Sequence, residues 1–267
     1  MILVDALKGN SYIKEIDLSF NNISNQGTYS LASITNLEWL NVSSNNIGPE
    51  GCIALSKSNL ITIHISGNPI GNAVGAFASS IKLKELVAAE CEINDDMAKP
   101  LFLSTLIESL DLSTNKILGL SLEMIDSNIV LKKLNLAQNP LKKENCKYFI
   151  NNKGLLSLNL TNTVIGDNGA ELLARNCSLE ELTLIQCSIG DNGVLFLSKN
   201  TTLKKLVLLG NNITDRGIEF LARNNSLLYL NLKNNRFSIE SSRFLLQNYL
   251  KNIGFIFTRT DEFILEL

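Results

Sequence analysis

The sequence repeats itself with a nearly constant period, and this period constrains the fold more than any other feature. A pattern of the form L-x-x-L-x-L-x-x-N-x-I begins ten times, at intervals of 24, 23 and 23 residues and then 24 residues six times. The starting residues are Ile13, Leu37, Leu60, Leu83, Ile107, Leu131, Leu155, Leu179, Leu203 and Leu227. Such a period indicates stacked units, because a single unit this short cannot bury its own apolar face.

Each repeat is predicted to contain one short strand and one short helix. Apolar residues alternate with variable ones in the L-x-L part, which predicts a strand with one buried face. Phrases such as IGDNGAELLARN at residues 165–176 have helical periodicity. Asp167, Asp191 and Asp215 are predicted to be N-caps, whereas repeats 5 and 6 lack this Asp-x-Gly signal. A column of asparagines is expected to end helices in the left-handed conformation, namely Asn128, Asn152, Asn176, Asn200, Asn224 and Asn248.

The ninth position of each repeat is predicted to hold a buried structural side chain. The chain must turn inward there, which leaves backbone groups without a local partner, and an asparagine can bond to them and to the next repeat. The resulting ladder is Asn21, Asn45, Asn68, Cys91, Asn115, Asn139, Thr163, Cys187, Asn211 and Asn235.

Together these features resemble the leucine-rich-repeat signature, and the I-x-D-x-G-x-x-x-L-A phrase resembles the ribonuclease-inhibitor-like subclass. The resemblance implies an α/β horseshoe solenoid with a parallel concave sheet and short convex helices. Residues 1–12 are expected to form an N-terminal half-repeat cap and residues 13–249 ten repeats. Residues 250–267 are expected to form a capping strand and a tail, in which Phe255 faces the core.

Composition argues against several classes of function. The chain has 24 basic and 26 acidic residues, so no global field attracts nucleic acid or an anionic membrane. With a single histidine and no CxxC pair, no catalytic triad or zinc site is expected. We therefore predict no cofactor, no metal and no enzymatic activity. Seven Asn-x-Ser/Thr sequons occur, but no secretory signal peptide is recognisable.

The variable strand positions are predicted to form the concave binding face. The candidate residues are Glu15, Asp17, Trp39, His64, Glu85, Val87, Asp111, Lys133, Glu181, Ile185, Lys205, Val207, Leu209, Tyr229 and Lys233. Trp39 and His64 should lie close together and could anchor a partner or merely cover the N-terminal edge. Ile185, Val207 and Leu209 should form an exposed apolar contact site, unless Phe263 or Leu265 of the tail covers them. An acidic first half and a more basic second half could orient a partner or reflect drift.

The fold therefore points to a protein that binds a protein partner through its concave face. Short, cap-poor leucine-rich-repeat proteins of this kind are similar to effectors that pathogenic bacteria deliver into host cells, which implies a cytoplasmic location there. The tail DEFILEL resembles a C-terminal export signal. Two alternatives stay open: a GTPase regulator resembling Ran GTPase-activating proteins, and a self-assembling scaffold.

Overall fold

A computed structural model describes residue 10 and residues 12–249 of the 267-residue chain. The predicted cap at residues 1–12 lies almost wholly outside these residues, and the predicted strand and tail at 250–267 lie entirely outside them. The chain divides into two compact units. The first unit runs to Met124 and adds Asn128–Leu136, and the second consists of Ile125–Ser127 and the residues from Ala137 onward.

Every described repeat contributes one three-residue strand. The strands of the first unit are β1 (Glu15–Asp17), β2 (Trp39–Asn41), β3 (Thr62–His64), β4 (Glu85–Val87), β5 (Ser109–Asp111) and β6 (Lys133–Asn135). Those of the second are β7 (Ser157–Asn159), β8 (Glu181–Thr183), β9 (Lys205–Val207) and β10 (Tyr229–Asn231). Within each unit, successive strands pair in parallel and in chain order. Equivalent positions pair, as in Glu15 with Trp39, so a column in the sequence is a row of neighbouring side chains.

Short helices follow the strands, as the repeat pattern predicts. The α-helices of the described chain are α1 (Asn25–Ala32), α2 (Pro49–Ser56), α3 (Asp95–Phe102), α4 (Gly166–Ala174), α5 (Asp191–Leu197), α6 (Asp215–Leu221) and α7 (Ile239–Tyr249). Three further repeats have 3-10 helices instead, at Gly71–Ser79, Ser121–Ile125 and Lys143–Phe149. The second and third of these belong to repeats 5 and 6, which lack the Asp-x-Gly signal.

The core is built from the middle residue of each strand and the inner faces of the helices. Leu40, Leu86 and Leu206, for example, are fully buried strand residues. Aliphatic side chains dominate, and Phe77, Phe102 and Phe149 are the largest side chains that are completely enclosed. The α/β leucine-rich-repeat fold class predicted from the sequence is thereby confirmed.

The aspartates predicted to cap their own helices bind the next repeat instead. Asp191 and Asp215 are the first residues of α5 and α6, and Asp167 lies one residue inside α4, so none precedes its helix. Their carboxylates accept backbone N–H bonds from the following repeat: Gly190 to Asp167 at 2.6 Å, Thr214 to Asp191 at 2.8 Å, and Ser238 to Asp215 at 2.6 Å. Each donor immediately precedes a helix, so the carboxylate stabilises the start of the next helix rather than of its own.

The asparagine column predicted to end the helices also has a different role. Asn176 is 1% exposed, donates to the carbonyls of Phe149 and Asn152, and accepts the N–H of Leu179 at 2.7 Å. Equivalent bonds to the preceding repeat are made by Asn128, Asn152, Asn200 and Asn224. None of these five residues has a positive φ, and α7 continues through Asn248 to Tyr249. The left-handed stop was therefore wrong, because the column forms a second inter-repeat ladder.

Candidate functional site

The candidate site is the open face of the sheet in each unit. We define this open sheet face as the first and third residues of every three-residue strand, which flank the buried middle residue, together with the residue two places after the third. In β2 to β5, the middle residue is buried and both flanking residues are half-buried. These flanking side chains are not part of the core. The fold places the predicted binding residues of each unit on that unit's open face.

The aromatic pair at Trp39 and His64 is the most distinctive feature of this face. The two rings are 5.3 Å apart between centroids with an interplanar angle of 68°, which is an edge-to-face arrangement. They are diagonal neighbours, because Trp39 pairs with Thr62 while His64 lies two residues further along β3. Both side chains are half-buried, so the pair keeps exposed aromatic surface.

Local hydrogen bonds fix several polar residues of the face. The Asp17 carboxylate accepts bonds from the hydroxyl and backbone N–H of Ser19 at 2.6 and 2.8 Å, and from Asn41 at 3.1 Å. The hydroxyl bond from Ser19 is the main cause that lowers the pKa of Asp17. Asp111 is held in the same way by the hydroxyl and N–H of Ser113. These carboxylates are therefore oriented before any partner arrives.

The predicted apolar contact site is only partly exposed. Val207 is 8% exposed and belongs to the core of its repeat, so the prediction of an exposed side chain there was wrong. Its register neighbours Thr183 and Asn231 lie on either side of it. Ile185 and Leu209 stay half-buried on the face.

Charge on the open face differs between the units. In β1 to β5, the strand residues of the face include Glu15, Asp17, Glu85 and Asp111 and no lysine or arginine, while Lys133 of β6 belongs to the same unit. The second unit carries Glu181, Lys205 and Lys233. Its Lys205 ammonium lies 5.6 Å from the ring centroid of Tyr229 on the next strand, in a cation–π contact.

Hydrogen bonds between adjacent repeats hold in place the backbone that carries the open sheet face. The side chain of Asn211 donates to the carbonyls of Leu184 and Leu208 at 2.7 and 2.9 Å, and accepts the N–H groups of Cys187 and Ile189, both at 3.0 Å. Asn45, Asn68, Asn115 and Asn235 likewise bond to the backbone of a neighbouring repeat. Each such asparagine thus satisfies buried backbone groups of two repeats.

Cysteine replaces the donor of this ladder and only part of its acceptor. The Cys187 thiol donates to the carbonyls of Leu160 and Ile185 at 3.1 and 3.4 Å, and the Cys91 thiol makes the equivalent bonds. Burial raises the pKa of Cys91 and of Cys187 to about 11, so both thiols keep the proton that they donate. Both thiols also accept from backbone N–H groups of the preceding repeat, Gly67 and Asn68 at Cys91 and Asn162 and Thr163 at Cys187. The second N–H that an asparagine oxygen accepts, equivalent to that of Ile189 at Asn211, bonds elsewhere in these repeats.

The backbone of the preceding repeat changes wherever the ladder residue is not asparagine. Before Cys91, Thr163 and Cys187, the N–H that would reach the ladder side chain bonds instead to a carbonyl two residues back. These tight turns are Ile70 to Asn68, Leu141 to Asn139 and Ile165 to Thr163, at 2.8 to 2.9 Å. Two of them are followed directly by Gly71 and Gly166, whose φ values are +56° and +58°. The ladder residue of one repeat therefore selects the loop of the repeat before it.

Sequence reasoning missed one structural column completely. The residue before each ladder position has a positive φ of 53° to 70° in all ten repeats. The residues are Phe20, Ser44, Gly67, Glu90, Thr114, Gln138, Asn162, Gln186, Gly210 and Asn234. Two glycines and two asparagines in this column were the available signal, because these residues tolerate the left-handed region best.

Residue 10 and residues 12–249 contain neither a cluster of metal ligands nor a membrane-spanning helix. No group of three or more His, Cys, Asp or Glu side chains there is arranged to hold a metal ion. No helix in the same residues combines the length and apolar character needed to cross a bilayer.

Comparisons with known proteins agree with this architecture. A family model described as a leucine-rich repeat matches residues 9–32, 33–56, 151–174, 175–198 and 199–222. The leucine-rich repeat serine/threonine-protein kinase 1 of Mus musculus is 29% identical over an alignment of 138 residues, and the match covers 49% of this chain and 7% of the kinase. This chain thus corresponds to only a small part of that relative.

A solved structure has a similar fold over most of the chain. It is an internalin from Listeria monocytogenes, with a TM-score of 0.56 and 19% identity, and the match covers 94% of this chain and 81% of that one. The repeat pattern, the strand and helix order and these matches define the class: the chain has the leucine-rich-repeat fold.

Proposed function

We propose that this protein is a non-catalytic protein-interaction module and that its open sheet face, the predicted concave face, binds the partner. The observation that carries the proposal is the Trp39–His64 pair, whose centroids are 5.3 Å apart. The fold does not need an aromatic pair at these two positions for stability, because they lie outside the core. Half-exposed tryptophan is, however, a residue type that dominates binding energy at protein interfaces.

The ordered polar residues around the pair support the same function. Binding costs conformational entropy, and that cost is smaller when the contact groups are already held in place. Asp17 is fixed by Ser19 and Asn41, and the strands themselves are anchored by the asparagine ladder below. A rigid scaffold with variable outward side chains can recognise a protein surface without any chemical step.

Affinity capture from eukaryotic cytosolic lysate tests the proposal with three forms of the protein. These are the wild type, Trp39→Ala and the control Val164→Ser, which changes a 74% exposed apolar residue that is not on the face. We expect a partner that Trp39→Ala loses and Val164→Ser retains. Equal recovery of every protein by all three forms would rule out the open face around Trp39 as the binding site.

We further propose that the partner belongs to a host cell and that the protein is an effector delivered there. This part rests on the resemblance to short bacterial leucine-rich-repeat effectors and on the acidic-hydrophobic segment DEFILEL at residues 261–267. Removing residues 258–267 should abolish translocation in a reporter-fusion assay while the circular dichroism spectrum stays the same. Undiminished delivery of the shortened protein would refute the export role of this segment.

A cytoplasmic location is supported by where three sequons lie. Asn176, Asn200 and Asn224 each begin an Asn-x-Ser/Thr sequence and are 1%, 7% and 5% exposed. Their side-chain nitrogens, where a glycan would attach, donate to buried backbone carbonyls of the preceding repeat, namely those of Asn152, Asn176 and Asn200. A bulky glycan at these atoms cannot be accommodated in the folded repeat. Passage through a compartment that glycosylates asparagine would therefore compete with folding.

Secretory expression checks this argument. With an added leader in a eukaryotic host, we expect protein glycosylated at Asn176 to be retained unfolded, and inhibition of N-glycosylation to restore folded protein. The control is a sequon that the fold tolerates, at the exposed Asn212. Secretion of folded protein with Asn176 occupied, shown by peptide mass spectrometry and a cooperative thermal transition, would contradict the reasoning.

A further inference from the structure

Each unit has an aromatic residue in the first strand position of the open face, but only one of the two rings is in contact with a cationic side chain. In the second unit, the Lys205 ammonium lies 5.6 Å from the ring centroid of Tyr229. In the first unit, Trp39 occupies the equivalent position of β2, and no lysine or arginine among residues 12–249 makes such a contact with it. Tryptophan is the best aromatic acceptor of a cation–π contact, so its ring is left available for a cation from outside.

Charge around Trp39 favours the same kind of ligand. Its register neighbour on β1 is Glu15, which lies about 5 Å away at normal strand spacing. Further along the face are Asp17, Glu85 and Asp111, and the face residues within β1 to β5 include no lysine or arginine. The nearby Lys14 and Lys84 precede the face residues and are paired with glutamates, Glu38 at 2.7 Å and Glu108 at 2.6 Å.

We infer that the open face of the first unit binds an extended protein segment carrying lysine or arginine, with one cationic side chain on the Trp39 ring. This inference rests on the proposed function and adds the chemistry of the partner. The carboxylates of Glu15 and Glu85 provide the complementary charge. His64 fixes the tryptophan ring through its edge-to-face contact at 5.3 Å.

Strand spacing sets the register of the cationic residues. Trp39 in β2 and Glu85 in β4 are two strands apart in one column, which corresponds to about 10 Å. An extended segment rises about 3.3 Å per residue and points alternate side chains to the same side. Two cations separated by three residues therefore face the same way about 13 Å apart, within reach of Trp39 and Glu85 for a long arginine side chain. Adjacent cations point to opposite sides and cannot both bind.

Fluorescence anisotropy with labelled peptides tests this inference on the full chain. The probes are Gly/Ser peptides of equal length that carry two arginines with three residues between them (i and i+4), two adjacent arginines, or two glutamates in the spaced positions. We expect the spaced arginine peptide to bind best. Trp39→Ala should weaken it about fivefold or more, within the range of a partly desolvated cation–π contact, and Glu15→Gln/Glu85→Gln should weaken it further at low salt.

Tyr29→Ala is the matched control, because it removes a 47% exposed aromatic side chain of the same unit that lies on helix α1 and not on the open face. It should change binding of the spaced arginine peptide less than twofold, and circular dichroism shows whether each variant is folded. Equal binding to the wild type and Trp39→Ala, no preference for spaced over adjacent arginines, or tighter binding of the glutamate peptide would each overturn the inference.

The same experiment separates failure of the inference from failure of the proposed function. A lysate partner that depends on Trp39, together with no binding of the arginine peptide, would leave the interaction module intact and refute the cationic chemistry. Binding of the arginine peptide that depends on Trp39 supports the inference whether or not a lysate partner has been recovered.

Discussion

Replacing Asn211 tests whether the ladder holds adjacent repeats together. Asn211 is 4% exposed, and its side chain makes four hydrogen bonds of 3.0 Å or less to Leu184, Leu208, Cys187 and Ile189. Asn211→Ala removes all four and leaves two buried carbonyls and two buried N–H groups without that partner. At a net value of about 1 kcal/mol per hydrogen bond, we expect a loss of about 4 kcal/mol in the free energy of unfolding.

Asn211→Cys makes the test sharper, because Cys91 and Cys187 show what a thiol does at this position. The thiol can still donate to the carbonyls of the ladder and accept from the backbone of the preceding ladder residue, but it does not accept the N–H two residues further on, as the amide oxygen does. Ile189 is then expected to bond to a carbonyl two residues back, as Ile70 and Ile165 do. We expect about half of the loss, about 2 kcal/mol, since about two of the four bonds are kept.

Urea unfolding followed by circular dichroism measures both losses, and hydrogen exchange of the Cys187 and Ile189 amides locates them. The control is Asn212→Ala, which changes the exposed neighbouring asparagine and should stay within about 0.5 kcal/mol of the wild type. An Asn211→Ala protein as stable as this control would refute the account of the ladder. Equal losses for alanine and cysteine would refute the partial replacement of asparagine by a thiol.

Three further predictions concern the thiols, the left-handed column and one inter-repeat carboxylate. One thiol per chain, Cys177, should react with a disulfide reagent in the native protein and five in denaturant, because the other four cysteines are buried. Burial raises the pKa of those four thiols from 9.0 to about 11 or 12, so stability should fall as pH rises from 9 towards 12. Gly210→Ala should cost about 1–2 kcal/mol in urea unfolding, since φ is +70° and the new Cβ would lie 2.9 Å from Gln186 Cγ. The backbone N–H bond from Ser238 lowers the pKa of Asp215 below 3.8 in the folded protein. The wild type should therefore be more stable than Asp215→Asn above pH 3.8, and this difference should vanish as the pH falls through the pKa of Asp215 in the folded state.

Sequence predicted best those features that repeat at a fixed spacing and depend on burial. The strands and the apolar core follow from leucines whose positions recur every 23 or 24 residues. Bonding partners are harder to predict, because spacing shows that Asp191 lies near a helix start but not which helix it serves. The positive φ column was missed because most of its residues, such as Phe20 and Thr114, do not favour that conformation. At these positions the fold imposes the left-handed backbone conformation, and the side chain does not favour it.

The open face was predictable in position but not in detail. Alternation along each strand was enough to identify Trp39 and His64 as neighbours. It could not show that Val207 is 8% exposed, because burial at the margin of a face depends on the size of side chains on adjacent strands. The Lys205–Tyr229 contact depends on where a long flexible side chain settles, and the sequence pattern does not specify this.

The tight turns that precede Cys91, Thr163 and Cys187 have a consequence for recombining repeats. The residues that determine a loop extend into the following repeat. One 24-residue repeat is therefore not a self-contained structural unit. A repeat moved to a new place without its successor's ladder residue would acquire a different turn and a different start to its helix. Shuffling, duplication and design should therefore cut the chain after a ladder residue and keep the preceding loop with it.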